Sequence, residues 1–284
     1  MAALTRLTII SLALLASGCM MQTNTIPDTT ALANHATVAA QGAAACTANM
    51  TATRSNNTSA GLDPDNIGLF VWNIHKNKHP DALDDLADMA DDMDLILLQE
   101  ARHAGSLHDR LQSASYWSFA PGFGTNDALT GVMTLSSAQP LAHCFLQTRE
   151  PWLGTPKAIG ITEFALYDSD QTLAVVNIHG VNFTFGVKDY ARQLESIRMV
   201  IENHDGPVIV AGDFNTWNNG RNAQVEQLSA ELGMTELTFA VDHRVTPFAH
   251  TLDRVLVRGL RVRAATTDIV DSSDHNPLSV RLSL

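Results

Sequence analysis

Val208-Ile209-Val210-Ala211-Gly212-Asp213-Phe214-Asn215 is the stretch on which the reading of this chain turns. Four apolar residues, three of them β-branched, form a short run of the kind that makes a buried strand, and Gly206-Pro207 punctuates its start. The run gives way to a carboxylate and a carboxamide, so polar groups stand at the C-terminal end of a strand. Asp213 and Asn215 are two apart, and in an extended segment their side chains point the same way. Taken alone, an Asp/Asn turn after a strand explains this composition without any chemistry.

Five further stretches repeat the arrangement. Trp72-Asn73-Ile74-His75, Gln99-Glu100, Asn177-Ile178-His179-Gly180, Leu252-Asp253-Arg254 and Ser273-Asp274-His275 each punctuate a strand-like apolar run. Together they predict one polar cluster at one edge of a sheet core. Its carboxylates, carboxamides and imidazoles suit a hard divalent cation and a phosphate oxyanion. Mg2+ is held by one or two carboxylates with waters and the substrate's own phosphate oxygens, so a sparse Glu/Asp/Asn set is sufficient and no thiolate is needed.

Strand-like and helix-like patterns alternate from residue 67 onward. Strands are predicted at 68–74, 95–99, 129–135, 158–166, 173–178, 208–211, 251–257, 261–267 and 278–282. Helices are predicted at 80–93, with Pro80 at the first position and Leu83, Leu86, Ala90 and Met93 on one face, and at 223–232. A further helix follows from Tyr190, Leu194, Ile197 and Ile201, which recur every three or four residues. With 284 residues and 45% hydrophobic composition, the chain is long enough for one sizeable core.

The N-terminus reads differently. A single cation, Arg6, precedes an apolar stretch at 7–16 that is too short to span a bilayer, which predicts a signal peptide over 1–18. Leu15-Ala16-Ser17-Gly18-Cys19 resembles a bacterial lipobox, which would make Cys19 an acylated first residue; an ordinary cleaved signal with an incidental Cys is the other reading. Residues 19–66, rich in Ala, Thr, Asn and Ser, read as a lipid-anchored or flexible tether. The expected location is exported: periplasm-facing, an outer-membrane lipoprotein, or secreted. Two cysteines remain, and an oxidising compartment predicts a Cys46–Cys144 disulfide.

The formal charge of −12 argues against a broad basic surface for gripping nucleic acid. It does not exclude a nuclease, because bound cations neutralise an acidic site locally. Aromatics make up only 6% of the chain, few exposed aromatic clusters for stacking bases are evident, and a clear apolar insertion for a membrane is missing.

The six stretches, in this order, resemble the endonuclease/exonuclease/phosphatase superfamily, of the deoxyribonuclease-I-like fold. The resemblance covers residues 67–284 and implies an α/β fold, a four-layered α/β sandwich of two mixed sheets face to face with helices outside. It implies a Mg2+- or Mn2+-dependent phosphodiesterase, foremost a nuclease, with nucleic acid or another phosphodiester as substrate. Phospholipid or sphingolipid phosphodiesterases and phosphatases belong to the same superfamily and remain an alternative.

Carried over position by position, the resemblance makes Asn73 and Glu100 metal ligands, with Asp274 a further metal ligand or water-positioning group. Asp213 would polarise the attacking water and Asn215 contact the scissile phosphate. His275 would stabilise the transition-state charge as an imidazolium, oriented by Asp253. His179 would bind phosphate or act as general acid, though no carboxylate partner for it is evident. Arg102, Lys157, Trp217 and Arg221 are candidates for the cleft wall, and His75 is read as structural. A non-catalytic binding module on the same scaffold is the rival of another class, and retention of all six stretches counts against it. A serine hydrolase is excluded, since no Gly-x-Ser-x-Gly turn is present.

Overall fold

The computed structural model describes residues 32–34, 40–52, 60–103, 107, 110–111, 113–124 and 128–284. The predicted signal peptide and Cys19 lie outside them. In chain order the elements are β1 (Ala40–Gln41), α1 (Ala43–Ala52), β2 (Ile67–Asn73), α2 (Ala82–Ala90), β3 (Leu95–Arg102), β4 (Tyr116–Gly124), β5 (Leu129–Ser136), β6 (Ala142–Arg149), β7 (Pro156–Ala165), β8 (Thr172–His179), α3 (Lys188–Ile201), β9 (Val208–Asp213), α4 (Asn219–Leu232), β10 (Thr235–Glu236), β11 (Asp253–Arg258), β12 (Arg261–Thr267) and β13 (Leu278–Ser283).

They form a seven-stranded sheet, ordered β1-β6-β7-β8-β9-β11-β10, and a six-stranded sheet, ordered β12-β13-β2-β3-β5-β4. Both are mixed: β2 runs parallel to β3 and β8 parallel to β9, while most other pairs are antiparallel. Strand β2 shows why the fold is layered. Leu69 and Val71 face a core shared with Val175, Ile209 and Val255 of the other sheet. Phe70 and Trp72 face outward onto Leu86 and Ala90 of α2. All seven residues of β2 are buried, so the strand reads as a continuous apolar run rather than an alternating one. Helices α1, α3 and α4 cover the outer face of the seven-stranded sheet. Helix, sheet, sheet, helix is the four-layered sandwich expected.

A polar bridge crosses the interface between the sheets. The buried Gln99 Nε2 donates to Asn177 Oδ1 at 2.7 Å, and Asn177 Nδ2 donates to the Met133 carbonyl at 3.0 Å. Two residues of the quoted stretches therefore join the sheets beneath the site, where an unpaired amide would cost about 1–3 kcal/mol. Gly212, at φ 139°, sits so close to β8 that a Cβ would lie 2.2 Å from the Ile178 carbonyl oxygen.

Residues 40–52 and 60–66 correct the tether reading. β1 pairs with β6, α1 buries Cys46 and Met50, and Leu62 bridges to Leu166. The small side chains of α1 gave no periodic signal. The Cys46–Cys144 disulfide is present, with the Cα atoms 5.4 Å apart and a sequence separation of 98. Closing so long a loop restricts the unfolded chain, so Cys144→Ser will lower stability by about 2–4 kcal/mol. A denaturant titration reads this as a lower midpoint; an unchanged midpoint would mean that packing alone holds α1.

β4 and β6 are absent from the sequence reading. β4 carries Pro121 and two glycines, which lowered its strand signal, yet it lies at a sheet edge, where a missing N–H is tolerated. Among the described residues no helix is long and apolar enough to cross a membrane.

Candidate active site

Four strand ends from both sheets converge on one polar pocket of about 180 Å3, and a fifth is buried behind it. β2 brings Asn73, β3 brings Glu100, β8 brings His179, β9 brings Asp213 and the start of β11 brings Asp253. The antiparallel register of β9 and β11 sets Asp213 directly opposite Asp253, and the parallel register of β8 and β9 sets His179 beside Asp213. Asn215, Asp274 and His275 arrive on the loops that follow β9 and precede β13, and line the same pocket.

Asp213 is the most constrained of these groups. Its Oδ1 accepts the Asn215 backbone N–H at 2.8 Å, and its Oδ2 accepts Asn73 Nδ2 at 3.1 Å and Asn215 Nδ2 at 3.2 Å. Burial pushes its pKa up to about 6; Asp253 adds to the rise, while His275, Lys157 and the Asn215 N–H oppose it. A carboxylate poised near neutrality is suited to accept a proton from water.

His275 and Asp253 form a pair. Nδ1 of His275 lies 2.7 Å from Asp253 Oδ2. Burial works to lower the imidazole pKa, but the Asp253 carboxylate, with Asp213 and Asp274 beyond it, outweighs burial and lifts it to about 10. His275 is therefore an imidazolium at neutral pH whose Nδ1 proton is committed to Asp253, leaving Nε2–H as the donor it can offer a ligand. Trp72 Nε1 donates to the His275 carbonyl at 2.9 Å and fixes the loop.

His179 behaves differently. Its pKa is held well below the ordinary value, first by burial and then by Lys157, His275 and Lys76. Nε2 lies 2.7 Å from Lys157 Nζ, so the neutral ring accepts there and carries its proton on Nδ1. An ammonium is thus its nearest partner, and the Glu100 carboxylate stands 3.8 Å from Nε2. Asp213 Oδ2 is 3.5 Å from the same nitrogen.

Lys76 went unread in the sequence. His75, Lys76 and Asn77 all adopt left-handed backbone, at φ 46°, 61° and 50°, and Glu100 does so at φ 52° within a bulge of β3. Each such residue costs about 1–2 kcal/mol, a strain that tends to collect at functional sites. The turn curls Lys76 back until its Nζ is 2.6 Å from Glu100 Oε2. No turn residue at 75 or 76 signals this conformation.

Asn73, Glu100, Asp213 and Asp253 offer hard oxygen donors, which fit Mg2+ or Mn2+. The Lys76 ammonium beside Glu100 marks a place where a positive charge is stabilised, and Asp253 Oδ1 is buried without a hydrogen-bond partner. Asp213, Asp253 and His275 also present ligand atoms within 4.8 Å of one another. Glu100 and Asn73 line the same pocket and offer further oxygen donors for a cation. Asp274 is at the rim, its carboxylate 3.4 Å from His75 Nδ1 and its side chain largely exposed.

Of the cleft-wall candidates, Lys157 lies in the pocket. Trp217 lines an adjoining apolar groove. Arg221 is fully buried behind it, donating to the backbone carbonyls of Val181, Asn182 and Asn215 and packing between the Tyr190 and Trp217 rings. Arg102 is exposed at the end of β3. His75, read as structural, lines the pocket mouth.

A sequence model of the Endonuclease/Exonuclease/phosphatase family matches residues 70–275. A UPF0294 protein of Yersinia pseudotuberculosis is 41% identical over 216 residues, 75% of this chain and 82% of that protein. Among solved structures, an endonuclease/exonuclease/phosphatase of Beutenbergia cavernae superposes with a TM-score of 0.61 at 17% identity, covering 78% of this chain and 72% of that one. The human Nocturnin catalytic domain superposes with a TM-score of 0.55 at 18% identity, covering 79% and 96%. These structures share the fold of this chain. By the extent of the family match, this chain belongs to the endonuclease/exonuclease/phosphatase family.

Proposed function

We propose that this protein is a Mg2+- or Mn2+-dependent phosphodiesterase acting outside the cytoplasm. The observation that carries the reading is the convergence of Asp213, His275 with Asp253, Lys157 and Glu100, from separate strand ends and loops, in one pocket the size of a phosphoryl group and its neighbours. Export is supported by the apolar leader and by the Cys46–Cys144 disulfide, which persists in oxidising compartments.

In this reading the scissile phosphate enters the polar pocket. Asp213, with its pKa near neutrality, takes the proton of the attacking water as the bond from phosphorus to the leaving oxygen breaks, and the departing oxygen takes its proton from solvent. The Nε2–H of the His275 imidazolium donates to a phosphoryl oxygen and stabilises the charge that grows there. Asp253 holds that ring in orientation. Lys157, positioned by His179, contacts a remaining oxygen, and Asn215, whose Nδ2 donates to Gly180 O and Asp213 Oδ2, holds Asp213 in place. A divalent ion held by Glu100 and Asn73 would neutralise charge on the phosphoryl group. Among the described residues the pocket lining contains neither serine nor cysteine, and the scheme uses no covalent intermediate.

Nucleic acid and lipid head groups both present such a diester. Plasmid DNA, single-stranded RNA, sphingomyelin, phosphatidylinositol phosphates and bis-p-nitrophenyl phosphate, each with Mg2+, Mn2+ or chelator, test the reading. Hydrolysis of at least one diester is expected with either metal and is expected to disappear with chelator. Activity undiminished by chelator would contradict the metal dependence.

A further inference from the structure

A groove of about 750 Å3 opens directly from the polar pocket, with Asn182 and Asn215 lining both. Its walls carry Trp152, Leu153, Phe183, Phe185, Trp217 and Phe248. Four of these rings are strongly solvent-exposed: Trp152 at 64%, Phe183 at 56%, Phe185 at 73% and Phe248 at 82%. Exposed apolar groups gathered in this way mark an interaction surface. The expectation of few exposed aromatic clusters did not foresee this one: the rings come from separate turns, and only folding assembles them.

The groove is built. Glu150, itself buried, accepts the backbone N–H groups of Asn182 and Phe183 at 2.7 and 3.2 Å through Oε1, and the Thr155 hydroxyl through Oε2. This fastens the loop bearing Phe183 and Phe185 to the turn bearing Trp152, whose ring meets Phe185 edge-on at 4.2 Å. Arg221 secures the same loop from behind through Asn182 O and Thr184 Oγ1.

Its polarity selects among the diesters. The positive groups, Lys76 and Lys157, lie at the pocket end, and among the described residues no charged side chain lines the groove itself. The polar side chains on its wall are already engaged: Asn182 Oδ1 accepts from Trp217 Nε1, Thr184 Oγ1 accepts from Arg221, and Asn215 Nδ2 donates to Gly180 O. Base edges would find few partners, and the net charge of −12 gives no basic track for further phosphates. One phosphate beside a long apolar slot describes an amphiphile.

Resting on the phosphodiesterase reading, we propose that the groove holds the hydrocarbon part of an amphiphilic phosphodiester, with its phosphate in the pocket. Alkyl p-nitrophenyl phosphates with methyl, butyl and octyl chains, offered to the full chain with Mg2+ below their micellar concentrations, test this. The transfer free energy of a fully buried methylene corresponds to about a fourfold gain, so kcat/KM is expected to rise by about twofold to fourfold per carbon. Phe185→Asp and Phe248→Asp are expected to flatten that dependence, lowering turnover of the octyl ester at least tenfold more than that of the methyl ester. Hydrolysis of all three esters at one rate would overturn the groove proposal and leave the phosphodiesterase reading standing, as would a steep preference for oligonucleotides that Phe185→Asp removes. If none is hydrolysed, that reading fails, and binding decides the groove: octyl phosphate should shift tryptophan emission in chelator where methyl phosphate does not, and equal responses would overturn it.

Discussion

Asp213→Asn is expected to lower kcat on a phosphodiester by about 10²–10⁴-fold while leaving the folded structure intact, the range for loss of a positioned general base. The substitution is nearly isosteric, and an amide oxygen at Oδ1 still accepts the Asn215 N–H. The other position becomes an N–H2 facing the Asn73 and Asn215 amides, which now offer donor against donor. Turnover falls because an amide cannot take a proton from water. A variant that keeps more than a tenth of the parent kcat, with an unchanged thermal transition, would remove Asp213 from the chemistry.

His275→Ala is expected to lower kcat at least 100-fold, the scale of losing one preorganised donor to a developing oxyanion. It also leaves Asp253 as a buried carboxylate without its cation, and Asp253 Oδ1 already has no partner. Asp253→Asn should reproduce a large share of the loss, because a neutral amide no longer supports the imidazolium. Since the two residues act as a unit, the double variant should be little worse than His275→Ala alone. Multiplicative losses in the double variant would show that Asp253 works independently of His275.

Much of this site was legible from residue order, and the reason is physical. A strand buried on both faces is written as an unbroken apolar run, so Asn73, Glu100, His179, Asp213 and Asp253 stood out as polar groups where such runs begin or end. Gly212 and Gln99 belong to the same pattern, yet their work is to let β9 approach β8 and to bridge the sheets. Motif membership alone did not separate such scaffold residues from those that face the pocket.

What stayed hidden depended on conformation or on distant assembly. Lys76 reaches Glu100 only because three consecutive residues turn left-handed without a glycine. The His179–Lys157 contact joins adjacent antiparallel strands, and the register that aligns β7 with β8 cannot be read from either strand alone. The aromatic groove gathers residues 152, 183, 185, 217 and 248, which are scattered along the chain; only 183 and 185 share strand spacing, and Phe214, three residues before Trp217, is buried in the core instead. Helix α1 was missed for a simpler reason: its small residues bury Cys46 and Met50 without writing a periodic stripe.

The central claim is that this pocket hydrolyses phosphodiesters with the help of a divalent ion. The most direct test is release of p-nitrophenol from bis-p-nitrophenyl phosphate by the full chain and by an equally folded His275→Ala variant, each with Mg2+ and with chelator. The account predicts release by the parent with Mg2+, none above background with chelator, and at least a 100-fold slower rate in the variant. Equal rates for parent and variant, or release that persists in chelator, would contradict it.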